Sequence, residues 1–382
     1  MRNEQPGCGR RYGTALSLTL VMLHSCSSPQ QTNVAALRVV AAEELGVLEQ
    51  SPTILGRDGG FSTLLWGTTI WVYGDTFLSK ADEHGRTLLH NSFSRTEDLN
   101  AADGITAFFE RQDSLGTPTM LLEPTPQEEA FNAAHSVTNC REEPCGARYG
   151  TWPTELVWDH ARARALAHYS LIYAEPGAWN FTTLGSGLAE WKDPTQPAVR
   201  LLAAPSSDTP ELTWAQDDPV PSQGPQVLDD YLYGFACPLV SLRRPCTLAR
   251  APLSTVARRE SWTWYTGHSW STEPAKASPL FEGNVAITVS FNSYLGRWMA
   301  IYARLFEDTV ELRTAPELTG PWSEPLPLFT GDDHDEERWL YDAVAHASYA
   351  EENGRIMYVT YSRPIPGTMF SSELVLVRVV LE

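Results

Sequence analysis

Downstream of residue 50 the chain repeats one local design. Apolar and aromatic residues alternate with polar ones for a few positions, a turn follows, and the alternation resumes. A period of two puts every second side chain on one face, so each unit reads as a β-hairpin with a buried side. The clearest is Ser62-Thr63-Leu64-Leu65-Trp66, a Gly67-Thr68 turn, and Thr69-Ile70-Trp71-Val72-Tyr73. Others pair Glu155 to Trp158 with Ala165 to Tyr173, and Gln226 to Leu228 with Tyr231 to Phe235. Two more pair Ala286 to Phe291 with Trp298 to Ala303, and Ala343 to Tyr349 with Ile356 to Tyr361. The turns centre near residues 67, 162, 229, 295 and 353, about 95, 67, 66 and 58 residues apart. Those gaps suit four-stranded units, the first with a large insertion near residues 100–150. Amphipathic helical stretches are few. The expectation is an all-β chain, a five-bladed β-propeller; a β-sandwich or two barrels would show the same alternation.

Charge narrows the partners. Asp plus Glu total 47 against 28 Lys plus Arg, a formal charge of −19. Nucleic acid and anionic membrane surfaces need clustered cations, so both are excluded as partners, while a neutral sugar polymer is compatible. The 13 Trp, 14 Tyr and 13 Phe leave aromatic rings for ligand stacking as well as for the core.

The first residues read as an address. Arg10 and Arg11 precede a short apolar run, Ala15 to Leu23, too short for the ~20 residues that span a bilayer. Its end, Leu23-His24-Ser25-Cys26, resembles a bacterial lipobox, with His24 an unusual occupant; a plain signal peptide cut near Ala35-Ala36 is the alternative. The expected organisation is a signal peptide over 1–25, lipidation at Cys26, a polar tether with a possible first strand over 26–50, and the propeller over 51–382. No Asp follows Cys26, which by the same resemblance implies outer-membrane or cell-surface placement in a bacterium, with the lipid the sole membrane contact. A monomer is expected.

Four cysteines remain outside the leader and Cys26. The simplest of their three pairings closes two short loops, Cys140–Cys145 and Cys237–Cys246, in keeping with export. Zinc is disfavoured, since no CxxC is present and no His lies at ligand spacing. No cofactor is expected. The acidic loop Gly331 to Glu337 is a weak calcium candidate that lacks EF-hand spacing.

Gly56-Arg57-Asp58-Gly59-Gly60 followed by Trp71-Val72-Tyr73-Gly74-Asp75-Thr76 resembles the first blade of a domain-of-unknown-function family of glycosidase-like five-bladed propellers, which includes endo-D-arabinanases. Trp152-Pro153-Thr154-Glu155, the Phe291-Asn292-Ser293-Tyr294-Leu295 turn, Gly320-Pro321-Trp322-Ser323 and Tyr341 to Tyr361 fit it in order, from about residue 50 to the C-terminus. His346-Ala347 departs from the family pattern, where His is followed by Pro. The resemblance implies a glycoside hydrolase acting on a furanose-containing polysaccharide such as arabinan. A non-catalytic carbohydrate-binding lipoprotein of the cell envelope is the alternative.

Asp58 and Asp75 are the candidate catalytic pair. With a Gly67-Thr68 loop, Ser62 faces Tyr73 and Gly60 faces Asp75, so parity sets both carboxylates on one face of the hairpin's open end. Their diagonal spacing of about 7–8 Å lies within the range that glycosidases use. One group must stay protonated at neutral pH, which burial and mutual repulsion encourage. Arg57, Asn91, Trp152, Glu282, Asn284, Tyr341 and His346 are the candidate sugar ligands, with Glu282 the substitute acid. The Trp262-Thr263-Trp264-Tyr265 run with Trp270 is expected in an outer-strand core rather than as a stacking surface.

Overall fold

The computed structural model describes residues 37–177, 179–203, 209–331, 340–365 and 372–382. The signal segment, Cys26 and most of the tether lie outside them, as does most of the acidic loop after Gly331. Five antiparallel sheets follow one another along the chain, and together they make a five-bladed β-propeller. The hairpins legible in the sequence begin the blades, each from its innermost strand.

The first blade runs outward through Ile54–Leu65, Thr68–Leu78, Ser92–Thr96 and Phe109–Glu110. The second is built on Arg148–Pro153 and Val157–Asp159, then Arg164–Ala174 and Phe181–Trp191. The third starts at Gln223–Leu228 and the fourth at Thr288–Asn292. The fifth combines the two ends of the chain. Tyr341–Ala345, Ile356–Pro364 and Ser372–Leu381 supply three strands, and Val39–Val47 is the outermost fourth, with Val39 opposite Leu381 and Val47 opposite Val375. Val39–Val47 is the possible first strand expected within residues 26–50, and as the outer strand of the fifth blade it closes the ring.

Apolar faces meet between blades. Leu65, Ile70, Val72 and Phe93 of the first pack on Leu156, Ala165 and Trp191 of the second. Leu166, Leu188 and Trp214 of the second pack on Leu232, Trp262 and Trp264 of the third. Trp262 and Trp264 are fully buried, so the aromatic run is core. Each such ring removes about 150–250 Å² from water, several kcal/mol at roughly 25 cal/mol per Å². The disulfides are Cys140–Cys145 and Cys237–Cys246, the pairing expected. The insertion after the first blade carries the helix Pro126–Ala134, started by a capping box in which Thr125 and Glu128 satisfy each other's backbone N–H groups.

Candidate active site

The first hairpin turns at Trp66-Gly67, with φ of 50° and 80°, and Leu65 stands opposite Thr68. In a turn with both central residues at positive φ, as here, a Gly67-Thr68 loop would have placed a β-branched threonine at the second position, which such residues resist. The turn therefore sits one residue earlier than expected and the pairing shifts by two, so that Ser62 faces Trp71 rather than Tyr73. Two bulges then cancel towards the open end. Gly60 is the extra residue between the pairs Gly59–Tyr73 and Phe61–Val72. Beyond it, Gly74 and Asp75 together oppose Asp58, between Gly59–Tyr73 and Arg57–Thr76. Gly59 and Gly60 permit this at φ of 81° and 90°. Asp58 thus lies opposite the Gly74-Asp75 bulge rather than on a regular diagonal from Asp75, and the two carboxyl groups interact electrostatically. Gly74 leaves the space that the Asp58 carboxyl occupies; a Cβ there would collide with Oδ1.

A third carboxyl group joins them. Asp342 starts the fifth blade's inner strand in a left-handed conformation, φ 49°, and interacts electrostatically with Asp58. Burial lifts the Asp58 carboxyl well above its ordinary range, and the charges of Asp75 and Asp342 lift it further. Burial also raises Asp342, to about 6, against a stabilising hydrogen bond from the Gly59 backbone. Tyr341 shares a hydrogen bond with Ser372, and burial followed by Asp58, Asp342 and Asp75 holds its hydroxyl protonated. Asp75 has a different setting. Trp152 Nε1 donates to its Oδ1 at 2.9 Å, and His90 Nδ1 lies 3.2 Å from the same oxygen. The Trp152 N–H and the His90 ring thus hold Oδ1, and they leave Oδ2 for chemistry.

Of the residues singled out from the sequence, Asp58, Asp75, Trp152 and Tyr341 come together. Five expected sugar ligands have other employment. Arg57 is 1% exposed, lies 3.5 Å over the Tyr73 ring and pairs with Glu110 at 3.4 Å. It alternates with Asp58 along the strand, so the two point to opposite faces. Asn91 is fully buried: Nδ2 donates to Leu122 and Thr151, and Oδ1 accepts from the backbone of Leu121 and Leu122, tying the first blade to the second. Glu282 pairs with Arg243 at 3.3 Å on the third blade, and Asn284 donates to the Ala303 carbonyl at 2.9 Å. His346 is buried between Ser62 Oγ at 2.7 Å and Thr360 Oγ1 at 2.8 Å and packs on Trp71. Burial lowers it to about 3, so the ring is neutral.

Sequence reasoning missed Asp342 and His90. A signal for Asp342 existed: it precedes His346 by four residues, as Asp58 precedes Ser62, and Ser62 and His346 bond to each other. His90 had none, since its place depends on Gly150, whose missing side chain leaves room for the imidazole. His90 and Arg148 also line a cavity of about 270 Å³ beside Asp75's partners. Deeper in the second blade, burial raises Glu155 to about 8, and its Oε2 has no hydrogen-bond partner among the described residues.

The model of the family described as "Domain of unknown function (DUF4185)" matches residues 49–365. No curated protein matches the sequence. Among solved structures, a Bacteroides ovatus protein provisionally described as a hydrolase superposes with a TM-score of 0.54 at 14% identity, over 86% of this chain and 87% of that one. A Dyadobacter fermentans protein of unknown function gives 0.52 at 9% identity, over 91% and 100%. An exo-β-1,3-galactanase from Phanerochaete chrysosporium gives 0.49 at 11% identity, over 87% and 64%. At such identities the likeness concerns the fold.

Proposed function

The chain belongs to the DUF4185 family, and from the carboxyl cluster on that propeller we propose a glycoside hydrolase acting on a neutral, furanose-containing polysaccharide such as arabinan. The observation that carries the reading is the opposed pair Asp58 and Asp75, two carboxyl groups in unlike surroundings on adjacent strands. Such asymmetry separates an acid from a base. Asp58, protonated through burial and like charge, donates its proton to the glycosidic oxygen as the bond to the anomeric carbon breaks. Asp75, held through Oδ1 by Trp152 and His90, attacks that carbon with Oδ2 and forms a glycosyl ester. The Asp58 carboxylate then takes a proton from water, whose oxygen displaces Asp75 and releases the sugar. This is the retaining course, which needs carboxyl groups about 5–5.5 Å apart, and the anomer first formed distinguishes it from inversion.

The test is a panel of neutral polysaccharides, with released oligosaccharides and the anomer first formed as readouts. Asp58→Asn and Asp75→Asn should each lower turnover at least about a hundredfold with the fold intact. A near-normal rate in either removes that residue from the mechanism. The reading includes export and lipid attachment at Cys26. Cys26→Ser should abolish lipid labelling and release the protein from membranes, and unchanged membrane association would refute the anchor.

A further inference from the structure

The cavity beside Asp75's partners has no part in the chemistry above. It holds about 270 Å³ and lies where the insertion after the first blade meets Arg148–Pro153, the start of the second. The helix Pro126–Ala134 forms one wall, through Glu128, Glu129 and Asn132, and the chain from His84 to Leu88 forms another. Val137 also lines it and is 77% exposed, so the cavity opens to solvent there.

Several polar groups in these walls are already matched. Arg200 makes two bonds to Glu128, at 2.7 and 2.6 Å. Arg86 bonds to Asp82 at 2.7 Å and reaches Glu129 at 3.4 Å. Asn132 exchanges bonds with the backbone of Tyr149. Arg148 differs. Its Nη1 reaches the Gly146 carbonyl only at 3.4 Å, and its Nε is buried with no hydrogen-bond partner among the described residues. A buried donor without an acceptor is costly, so it marks a place for one. Burial lowers the Arg148 pKa and the charge of Asp75 opposes that; the site lacks an acceptor rather than a counter-charge. His90 supplies the complement. Its Nδ1 lies 3.2 Å from Asp75 Oδ1, and no bond to its Nε2 forms among the described residues. An imidazole that gives its Nδ1 proton to a carboxylate keeps a lone pair at Nε2.

We propose that this cavity is a subsite for one neutral sugar ring of the substrate, close to the cleaved bond, with Arg148 donating to its hydroxyl oxygens and His90 accepting from a hydroxyl. The proposal rests on the glycosidase reading above. A hydroxyl group both donates and accepts, which matches an open donor beside an open acceptor. A carboxylate would meet the like charges of Glu128 and Glu129 in the walls and of Asp75 behind His90. The volume lies below the roughly 300–1,000 Å³ of pockets for drug-sized ligands, so it admits one ring rather than a length of chain. Because the insertion builds a wall of the cavity, it takes part in choosing the sugar.

The experiment compares the parent with Arg148→Gln, Arg148→Lys and Val137→Trp, and with Leu115→Trp, an exposed position outside the cavity, as control. The probes are short arabinan-, xylan- and galactan-derived oligosaccharides and an oligogalacturonate, read by released sugar and by titration calorimetry. Arg148→Gln removes the buried donor, and Arg148→Lys keeps the charge near Asp75 without the guanidinium Nε. Val137→Trp narrows the mouth from an exposed position, and it carries the test if Arg148→Gln does not fold. All three should raise KM and the calorimetric Kd about tenfold, with kcat within about threefold, and the control should match the parent. Unchanged KM in Arg148→Gln and Val137→Trp, with the parent active, would overturn the subsite alone. So would a fall in kcat in Arg148→Gln that Arg148→Lys restores, since Arg148 would then act only through its charge on Asp75. Tighter binding of the oligogalacturonate would refute the neutral ligand. Binding without cleavage, weakened in Val137→Trp, would keep the subsite and refute the hydrolase. If the parent neither binds nor cleaves any probe, both fall.

Discussion

Glu155 offers a measurement whose size follows from one buried atom. Its carboxyl moves from the ordinary 4.5 to about 8 because burial disfavours the charge, and no described partner compensates Oε2. The folded chain thus holds a proton that the unfolded chain releases above pH 4.5. A folded-state pKa above the unfolded one means stability fully present below 4.5 and lost progressively up to about 8. At pH 7.5 the loss spans three units, at most roughly 4 kcal/mol at 1.36 kcal/mol per unit. Glu155→Gln keeps the shape and removes the titration. Thermal melts of both proteins from pH 4.5 to 8 should therefore diverge, the variant gaining with pH. A domain of this size moves roughly 1.5 °C per kcal/mol, so up to about 6 °C should separate them at pH 7.5. Other titrating groups cancel in the difference. Parallel curves would show that Glu155 is solvated or paired in solution, and that its burial does not control its charge.

The remaining tests concern the site and its frame. Asp342→Asn removes a like charge that raises Asp58, so Asp58 should lose its proton at lower pH, and the alkaline limb of kcat/KM should move down. An unmoved limb would mean that Asp342 does not act on the acid. Gly74→Ala should abolish most activity by displacing the Asp58 carboxyl, with a modest loss of thermal stability; normal turnover would contradict the close approach across the bulge. Reduction of Cys140–Cys145 and Cys237–Cys246 should lower stability by about 2–3 kcal/mol each before it affects turnover, and simultaneous loss of both would place a bridge in the site's support.

Alternation was enough to find the blades because a two-residue period survives any uncertainty of register. The hairpins at Gln226 to Phe235 and Trp298 to Ala303 show it: their pairing in the structure follows the sequence reading closely. Register itself was less visible. The turn at Trp66-Gly67 depends on which of two residues better tolerates positive φ, and the bulges at Gly60 and Gly74 depend on what packs beyond them. The register opposite Asp58 changed for that reason, while its interaction with Asp75 did not depend on it. Arg57 and Asn91 were misread because polar character alone does not say whether a partner is water, sugar or protein. Arg57 finds Tyr73 and Glu110, and Asn91 finds the backbone of the insertion, all through contacts from separate strands or loops. Asp342 lies 284 residues from Asp58 in sequence (342 − 58), and only ring closure makes them neighbours.

That closure also sets an order of assembly. Val39–Val47, the first strand among the described residues, pairs with Ser372–Leu381, the last of them. Until that final segment has been made, the fifth blade lacks its middle and the strand that carries Asp342 lacks its support. A partly delivered chain would carry four blades with an open seam and an acid still in ordinary surroundings. On the proposed glycosidase reading, activity should therefore switch on late and all at once, when these two strands meet.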